Sequence, residues 1–373
     1  MHLYIIIYSI LIISCFFETQ NKKTLYKKYI IFINILIFTL FRGLRWEIGT
    51  DWDQYYDVYL DAEWNNIFRL LRATGSPMEF GYVFINVLVK TIFNSYTLFL
   101  IITNLFILVS YYHFSIKYSK YPIITFATIL FSTNFFPVRQ DLAIAILLYA
   151  YQYLINKNTK RFFLLIFIAT CIHNVSFVFG ILFFIRKIKI NIIKIYIILI
   201  LSILLSTLSG NFISFIINKF TFIPPVILVK LQAYSNMEAT EGLSQKGITS
   251  ILLVFIFVTL SIIYVNHLRK KNNNIEKLKS SNIFLISTTI FYASQFFFVG
   301  SFIYFARIGT CFSIVNNILL INSLIFICNN INKNSNHPKL IPPIIIIILF
   351  FLFRFSRMIT LYPELHFPYK TIL

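Results

Sequence analysis

The stretch RGLRWEIGTDWDQYY, residues 42–56, gathers the side chains that handle charge and sugars. Arg42 and Arg45 are phosphate-gripping groups, because a guanidinium holds two phosphate oxygens at once and stays charged when partly buried. Asp51 and Asp53 are carboxylates able to take a proton from a hydroxyl. Trp46, Trp52, Tyr55, Tyr56 and Tyr59 offer flat faces with polar edges, suited to packing on sugar rings. Similar groups recur far away as Glu79, Arg139 with Gln140, His173, Tyr304 with Arg307, and His366 with Tyr369. The chemistry this set describes is transfer at a phosphate-bearing, hydroxyl-rich substrate: arginines for the anion, a carboxylate or histidine as base. Asp51 is the first choice for that base and His173 the second.

The local elements that would hold these groups are legible. Thr50-Asp51-Trp52-Asp53 fits the Thr-x-x-acid form of a helix N-terminal cap. Gly49 permits a sharp entry. A helix starting at Asp51 stacks Asp51, Tyr55 and Tyr59 on one face at i, i+4 spacing. Its N-terminus also attracts anions.

The wider chain is a poor home for charge. It is 58% hydrophobic and 12% charged over 373 residues, with 43 phenylalanines. Soluble domains are nearer half apolar and a quarter charged. Apolar blocks recur at lengths that cross a bilayer, which takes roughly 20 residues each. The first, from Leu3, lacks a basic leader and a small-residue cleavage site, so it reads as a retained helix. Cys15, Cys171, Cys311 and Cys328 lie scattered in apolar segments and suggest neither a metal cluster nor a disulfide framework.

The formal charge of +20 is spread over short basic runs between apolar blocks: 21–29, 117–120, 156–161, 185–194, 268–279 and 332–339. That is the pattern of cytoplasmic loops, not of a nucleic-acid surface. Anionic lipid is a sufficient partner for it, and no nucleic acid is expected. With those runs inside, residues 42–79 become an extracytoplasmic loop. It holds Glu47, Asp51, Asp53, Asp57, Asp61, Glu63 and Glu79, seven of the thirteen acidic residues.

The threading gives spans near 29–42, 96–114, 121–136, 140–155, 192–208, 247–265, 282–299, 308–328 and 341–354. Residues 80–93, carrying Lys90, read as an interfacial or half-inserted helix. Residues 162–185 have basic runs at both ends, and read either as a breach of the inside rule or as a short hairpin with CIHNVS at its tip. Residues 209–246 form a second outer loop. The expectation is an all-α polytopic protein of roughly ten to twelve spans, residues 1–373 being one transmembrane domain.

Each polar residue also has an ordinary structural explanation. Arg42 and Trp46 suit interfacial anchors, Asp51 and Asp53 the helix dipole, and Arg307 a snorkelling role. Arg139 and Asp141 suit an internal pair, His173 a hydrogen-bonded core position, and Tyr369 a loose end. Their gathering on one side of the threading favours the chemical reading.

Six segments in order carry a family resemblance: Arg45-x-x-x-Gly49-x-Asp51-x-x-x-Tyr55, Glu79 opening an apolar run, RQDLAIA (139–145), HNVSF (173–177), YFARIG (304–309) and FPYK (367–370). Together they resemble the EpsG family, which overlaps the Wzy-type polymerases of O-antigen and capsular polysaccharide. One departure is Phe80, where Pro or a small residue is expected. The resemblance implies a glycosyltransferase-C-like membrane enzyme of the bacterial inner membrane, with its site facing the periplasm or cell exterior. It implies a substrate of undecaprenyl-diphosphate-linked oligosaccharide, and a chain-length regulator protein as a further partner. Arg139 and Arg307 would then hold the donor diphosphate. Arg42 and Arg45 would hold that of the acceptor or order the loop. Trp52, Asp53, Tyr55, Glu79, Gln140, Tyr304 and Tyr369 would line the substrate site. No cofactor is expected, since arginines replace a cation. A glycan ligase, a transferase using a polyprenyl-phosphate sugar, and a flippase remain alternatives. A flippase would place its charges at the midplane on broken helices.

Overall fold

The computed structural model describes residues 2–20, 24–49, 51–71, 78–133, 135–136, 138–188, 191–208, 248–271, 275–298, 303–331 and parts of 344–372. The second outer loop expected at 209–246 lies outside these residues, as does most of the span at 341–354. Among the described residues the protein is helical, with one isolated antiparallel bridge and no strand. It forms two compact units, Met1–Phe177 with Leu324–Leu373, and Val178–Ser323.

The first unit opens with α1 (His2–Gln20) and α2 (Thr24–Gly43), followed by the short α3 (Trp52–Leu60) and α4 (Ile67–Leu71). Then come α5 (Phe80–Phe93), α6 (Tyr96–Tyr118), α7 (Pro122–Ser132), α8 (Arg139–Ile155) and α9 (Thr159–Ile172). Helix boundaries follow capping chemistry. Ser95 caps α6 by accepting from the Leu98 amide at 3.3 Å. Asn158 caps α9 by accepting from the Arg161 amide at 3.2 Å. Pro122 starts α7, at the position where a missing N–H costs nothing.

A more distant cap serves α7. Glu18, buried near the end of α1, accepts from the amides of Ile123 at 3.1 Å and Ile124 at 2.9 Å. A carboxylate here satisfies two orphan donors and meets the positive end of the helix dipole.

Packing in this unit is close. α7 is buried along nearly its whole length, and Ala143, Ala145 and Ala150 of α8 are fully buried. Small residues let helix backbones approach in the absence of a hydrophobic drive from lipid. The outer surface is apolar instead: Ile6, Ile13, Phe32, Leu36, Leu164 and Phe167 all stand exposed. A soluble protein does not present such a surface. α6 and residues 251–270 are long and apolar enough to cross a membrane alone, and shorter apolar helices accompany them.

The second unit contains a 3₁₀ turn (Asn174–Gly180) that begins in the first unit, then α10 (Ile181–Ile185), α11 (Ile192–Leu204) and a 3₁₀ turn (Leu205–Leu208). α12 (Ile248–Lys271), α13 (Ile275–Phe298), α14 (Ile303–Thr310) and the start of α15 (Ile314–Ile331) complete it. Arg269 of α12 donates to Asn282 of α13 at 2.6 Å. Phe179 stacks on Phe312 at 5.6 Å.

Several expected boundaries move. α2 begins at Thr24 rather than near 29, so the basic run is partly helical. α13 begins at Ile275 rather than 282, carrying Lys277 and Lys279 into the helix. The single helix expected at 308–328 is two, broken between Thr310 and Ile314. Backbone hydrogen bonding continues past the point where apolar character stops, which explains the first two differences.

Candidate functional site

The site lies in the first unit and is built on Glu79. This residue precedes α5 in an extended conformation, and its carboxylate is only 8% exposed. Oε2 takes Arg139 Nη1 at 2.5 Å. Oε1 lies 3.5 Å from His173 Nδ1 and 3.4 Å from the Asn174 amide. One carboxylate thus ties together the start of α8, the end of α9 and the start of α5.

Local sequence makes this meeting possible. Arg139 is the first residue of α8, and His173 immediately follows α9. The two helices are joined by Asn156-Lys157-Asn158, with Lys157 at φ 60°, so they pair as an αα-hairpin that brings Arg139 and His173 to one end. Gly81 then lets α5 approach α9. A Cβ at that position would sit 2.9 Å from the backbone carbonyl of Cys171.

The electrostatics follow from this geometry. Burial alone would raise the Glu79 pKa, but the His173 contact and the Arg139 charge outweigh it and hold the carboxyl down at about 2. Glu79 is therefore ionised at any physiological pH. Tyr55 braces Arg139 from above, the guanidinium lying 5.7 Å from its ring. His173 is 14% exposed, and both its ring nitrogens are buried without a hydrogen bond, Nδ1 having only the 3.5 Å contact with Glu79.

A second feature is Arg45. Its side chain is buried, it forms no ion pair among the described residues, and its Nε and Nη1 have no hydrogen-bond partner. It rests on the Phe136 ring at 4.8 Å. Burial presses its pKa below the ordinary guanidinium value, and the neighbouring Arg42 charge adds to this. Tyr82, fully buried in α5, is close enough to both Arg45 and Arg139 to interact with each electrostatically. Gly49, at φ 103°, closes over Arg45; a Cβ there would lie 3.1 Å from Nη1.

The remaining expected residues sort as follows. Arg42 is fully buried and acts on Tyr111, whose hydroxyl donates to Asp141 at 3.2 Å. Asp141 thus turns inward to α6. Trp52 is buried and stacks on Tyr56 at 4.9 Å, with Trp46 edge-on at 5.0 Å. Asp51 and Asp53 are exposed, and their carboxylates make no hydrogen bond or ion pair among the described residues. Asp51 is itself the N-cap of α3, left-handed at φ 58° and without a side-chain cap bond. The helix therefore starts at Trp52, one residue later than expected, and Thr50 of the expected capping box lies outside the described residues. Gln140 is half-buried in the first turn of α8. The Tyr369 hydroxyl donates inward to the Phe41 carbonyl. Arg307 is exposed on α14 in the second unit, and Tyr304 lies on the same helix with its side chain outside the described set.

Sequence reasoning missed Tyr82 and Phe136. Only Gly81 gave a local signal, a glycine inside an otherwise apolar helix. Among the described residues no three His, Cys, Asp or Glu side chains cluster.

A helical, lipid-facing protein with buried charge gathered at helix ends is an integral membrane protein with a polar site. A family model covering residues 28–371 identifies it further: the chain belongs to the EpsG family. No curated protein and no solved structure matches the chain significantly.

Proposed function

We propose that this protein is a polysaccharide polymerase that joins undecaprenyl-diphosphate-linked oligosaccharide repeat units at the extracytoplasmic face of the bacterial inner membrane. The observation that carries the reading is the buried Glu79 carboxylate, which fixes a guanidinium and an imidazole at one point. Membership of the EpsG family supports it. The orientation rests on α6. Its first residue packs with Trp52 and Tyr59 of the aromatic cluster, while Lys117 and Lys120 lie at its far end. At about 1.5 Å per residue, 23 residues separate the two ends by about 34 Å, close to a hydrocarbon thickness. With the lysines inside, the site faces out.

In this mechanism His173 takes the first role as base and Asp51 the second. Glu79 faces Nδ1 and leaves Nε2 for the acceptor hydroxyl, whereas Asp51 has no group to orient it. The 3.5 Å contact is long, as catalytic hydrogen bonds often are before substrate binds. The acceptor oxygen attacks the anomeric carbon as His173 takes its proton. The bond from that carbon to the lipid diphosphate breaks, and the electron pair leaves on the phosphate. Arg139, part-exposed, stabilises that developing charge. Arg45 supplies a second cation for a diphosphate, since a buried guanidinium lacking a carboxylate gains most from an anion. The fold is proposed to be glycosyltransferase-C-like and the reaction metal-independent, with a chain-length regulator as a partner.

The test is surface polysaccharide on a gel from a deletion strain carrying wild type, Arg139→Ala, His173→Ala or Asp51→Ala, with expression checked. The expected result is a ladder with wild type and single repeat units with Arg139→Ala and His173→Ala. An unchanged ladder in the deletion strain overturns polymerisation and favours a ligase or single-sugar transferase.

A further inference from the structure

Arg45 has no polar anchor of its own, since its Nε and Nη1 are unpartnered. Its orientation must come from the backbone and from the ring beneath it. Both are supplied from far along the chain. Arg45 forms an isolated bridge, antiparallel with Thr371. The Trp46 amide donates to the Lys370 carbonyl at 3.0 Å, and the Ile372 amide to the Leu44 carbonyl at 3.3 Å. These bonds flank Arg45 on both sides.

The side chains of the same segment bind nearby. Tyr369 stacks on Phe41 at 5.1 Å and 17°, and its hydroxyl donates to the Phe41 carbonyl. Lys370 pairs with Glu47 at 2.9 Å. The His366 carbonyl accepts from the Tyr4 hydroxyl at 2.9 Å. Phe136, the ring under Arg45, is itself packed against His366 at 6.1 Å and Tyr369 at 6.5 Å. Every hydrogen bond and ion pair named here lands on residues 41–47 or on Tyr4.

We propose that residues 366–372 are a strap whose task is to position Arg45 toward a phosphate-bearing ligand, with Tyr369 and Ile372 as positioning residues. Tyr369, expected to line the substrate site, is here assigned a positioning role, because its hydroxyl donates to the Phe41 carbonyl beside Arg45. Two backbone bonds outside any sheet add little to global stability. They do fix the φ and ψ of Arg45, whose Nε and Nη1 have no polar partner. A carbonyl-bound tyrosine and a stacked ring then hold the strap itself in place. The inference rests on reading Arg45 as an anion group.

The test is calorimetric titration of the purified full-length protein in detergent with inorganic pyrophosphate. The proteins are wild type, Arg45→Ala, Tyr369→Phe, Ile372→Pro and the double variant Arg45→Ala with Tyr369→Phe. Tyr369→Phe keeps the ring stack and removes one hydrogen bond, so affinity should fall about threefold to tenfold. Ile372→Pro, which removes the bond to Leu44, should do the same. In the double variant the Tyr369 change should add nothing to Arg45→Ala, since it acts through Arg45. Unchanged affinity in both strap variants, or full additivity in the double variant, overturns the strap while leaving the anion site standing. Unchanged affinity in Arg45→Ala overturns the anion site and the strap together.

Discussion

Glu79 and Arg139 meet at 2.5 Å across sixty residues of sequence, and the carboxylate that binds this arginine also faces His173 with its other oxygen. The one carboxylate thus contacts two side chains, a guanidinium and an imidazole. Under the proposed mechanism it holds a cation and an imidazole in fixed relation for proton transfer beside a leaving anion.

Glu79→Gln keeps the shape and removes the charge. Polymerisation by purified protein should fall on the order of a thousandfold, the range in which a positioned acid–base group acts. Glu79→Ala should also cost about 3 kcal/mol of stability, because it leaves Arg139 and His173 without their shared partner. Thermal unfolding of both variants separates the two effects.

Acid should weaken the protein through the same residue. The folded Glu79 pKa of about 2 lies below its ordinary value of 4.5. The unfolded chain therefore binds the proton first, and the stabilisation is full above about 4.5 and lost as pH falls from there toward 2. Melting temperatures measured in detergent across that window should fall for wild type. Glu79→Gln should show a shallower fall.

Gly81 sets how closely α5 approaches α9. Gly81→Val must push the helices apart, moving Glu79 away from His173. A displacement near 1 Å costs about a hundredfold in turnover, so the variant should fold, insert and make almost no polymer. Wild-type ladders from a Gly81→Val strain would sink this account of the site.

Glu18 is expected to matter for folding alone. Glu18→Ala removes the cap of α7 and should cost about 1 to 2 kcal/mol, read as a lower unfolding temperature. Activity per folded molecule should stay at the wild-type level, because Glu18 lies by the first turn of α7 and takes no part in the Glu79 cluster.

What the sequence revealed was local. α5 runs from Phe80 to Phe93 as its apolar block implied, and α8 starts at Arg139 as its polar opening implied. Gly49 has the positive φ that a sharp entry requires. The residues of the site were mostly on the expected roster, but their partners were not. Nothing near residue 45 points to residue 371, and nothing near Glu18 points to Ile123. Such pairings are set by tertiary packing over hundreds of residues, and neither periodicity nor capping patterns encode them. Asp51 ranks first on its local setting, whereas the approach of Glu79 to His173 is a tertiary contact that no local pattern records.

The most direct test of the central claim is in vitro. Purified wild type and His173→Ala in detergent are given an undecaprenyl-diphosphate-linked repeat unit, with and without EDTA, and the products are resolved by length. Wild type should give a ladder in both conditions, and His173→Ala should leave the repeat unit unreacted. A ladder from His173→Ala as long and as fast as that from wild type would contradict it.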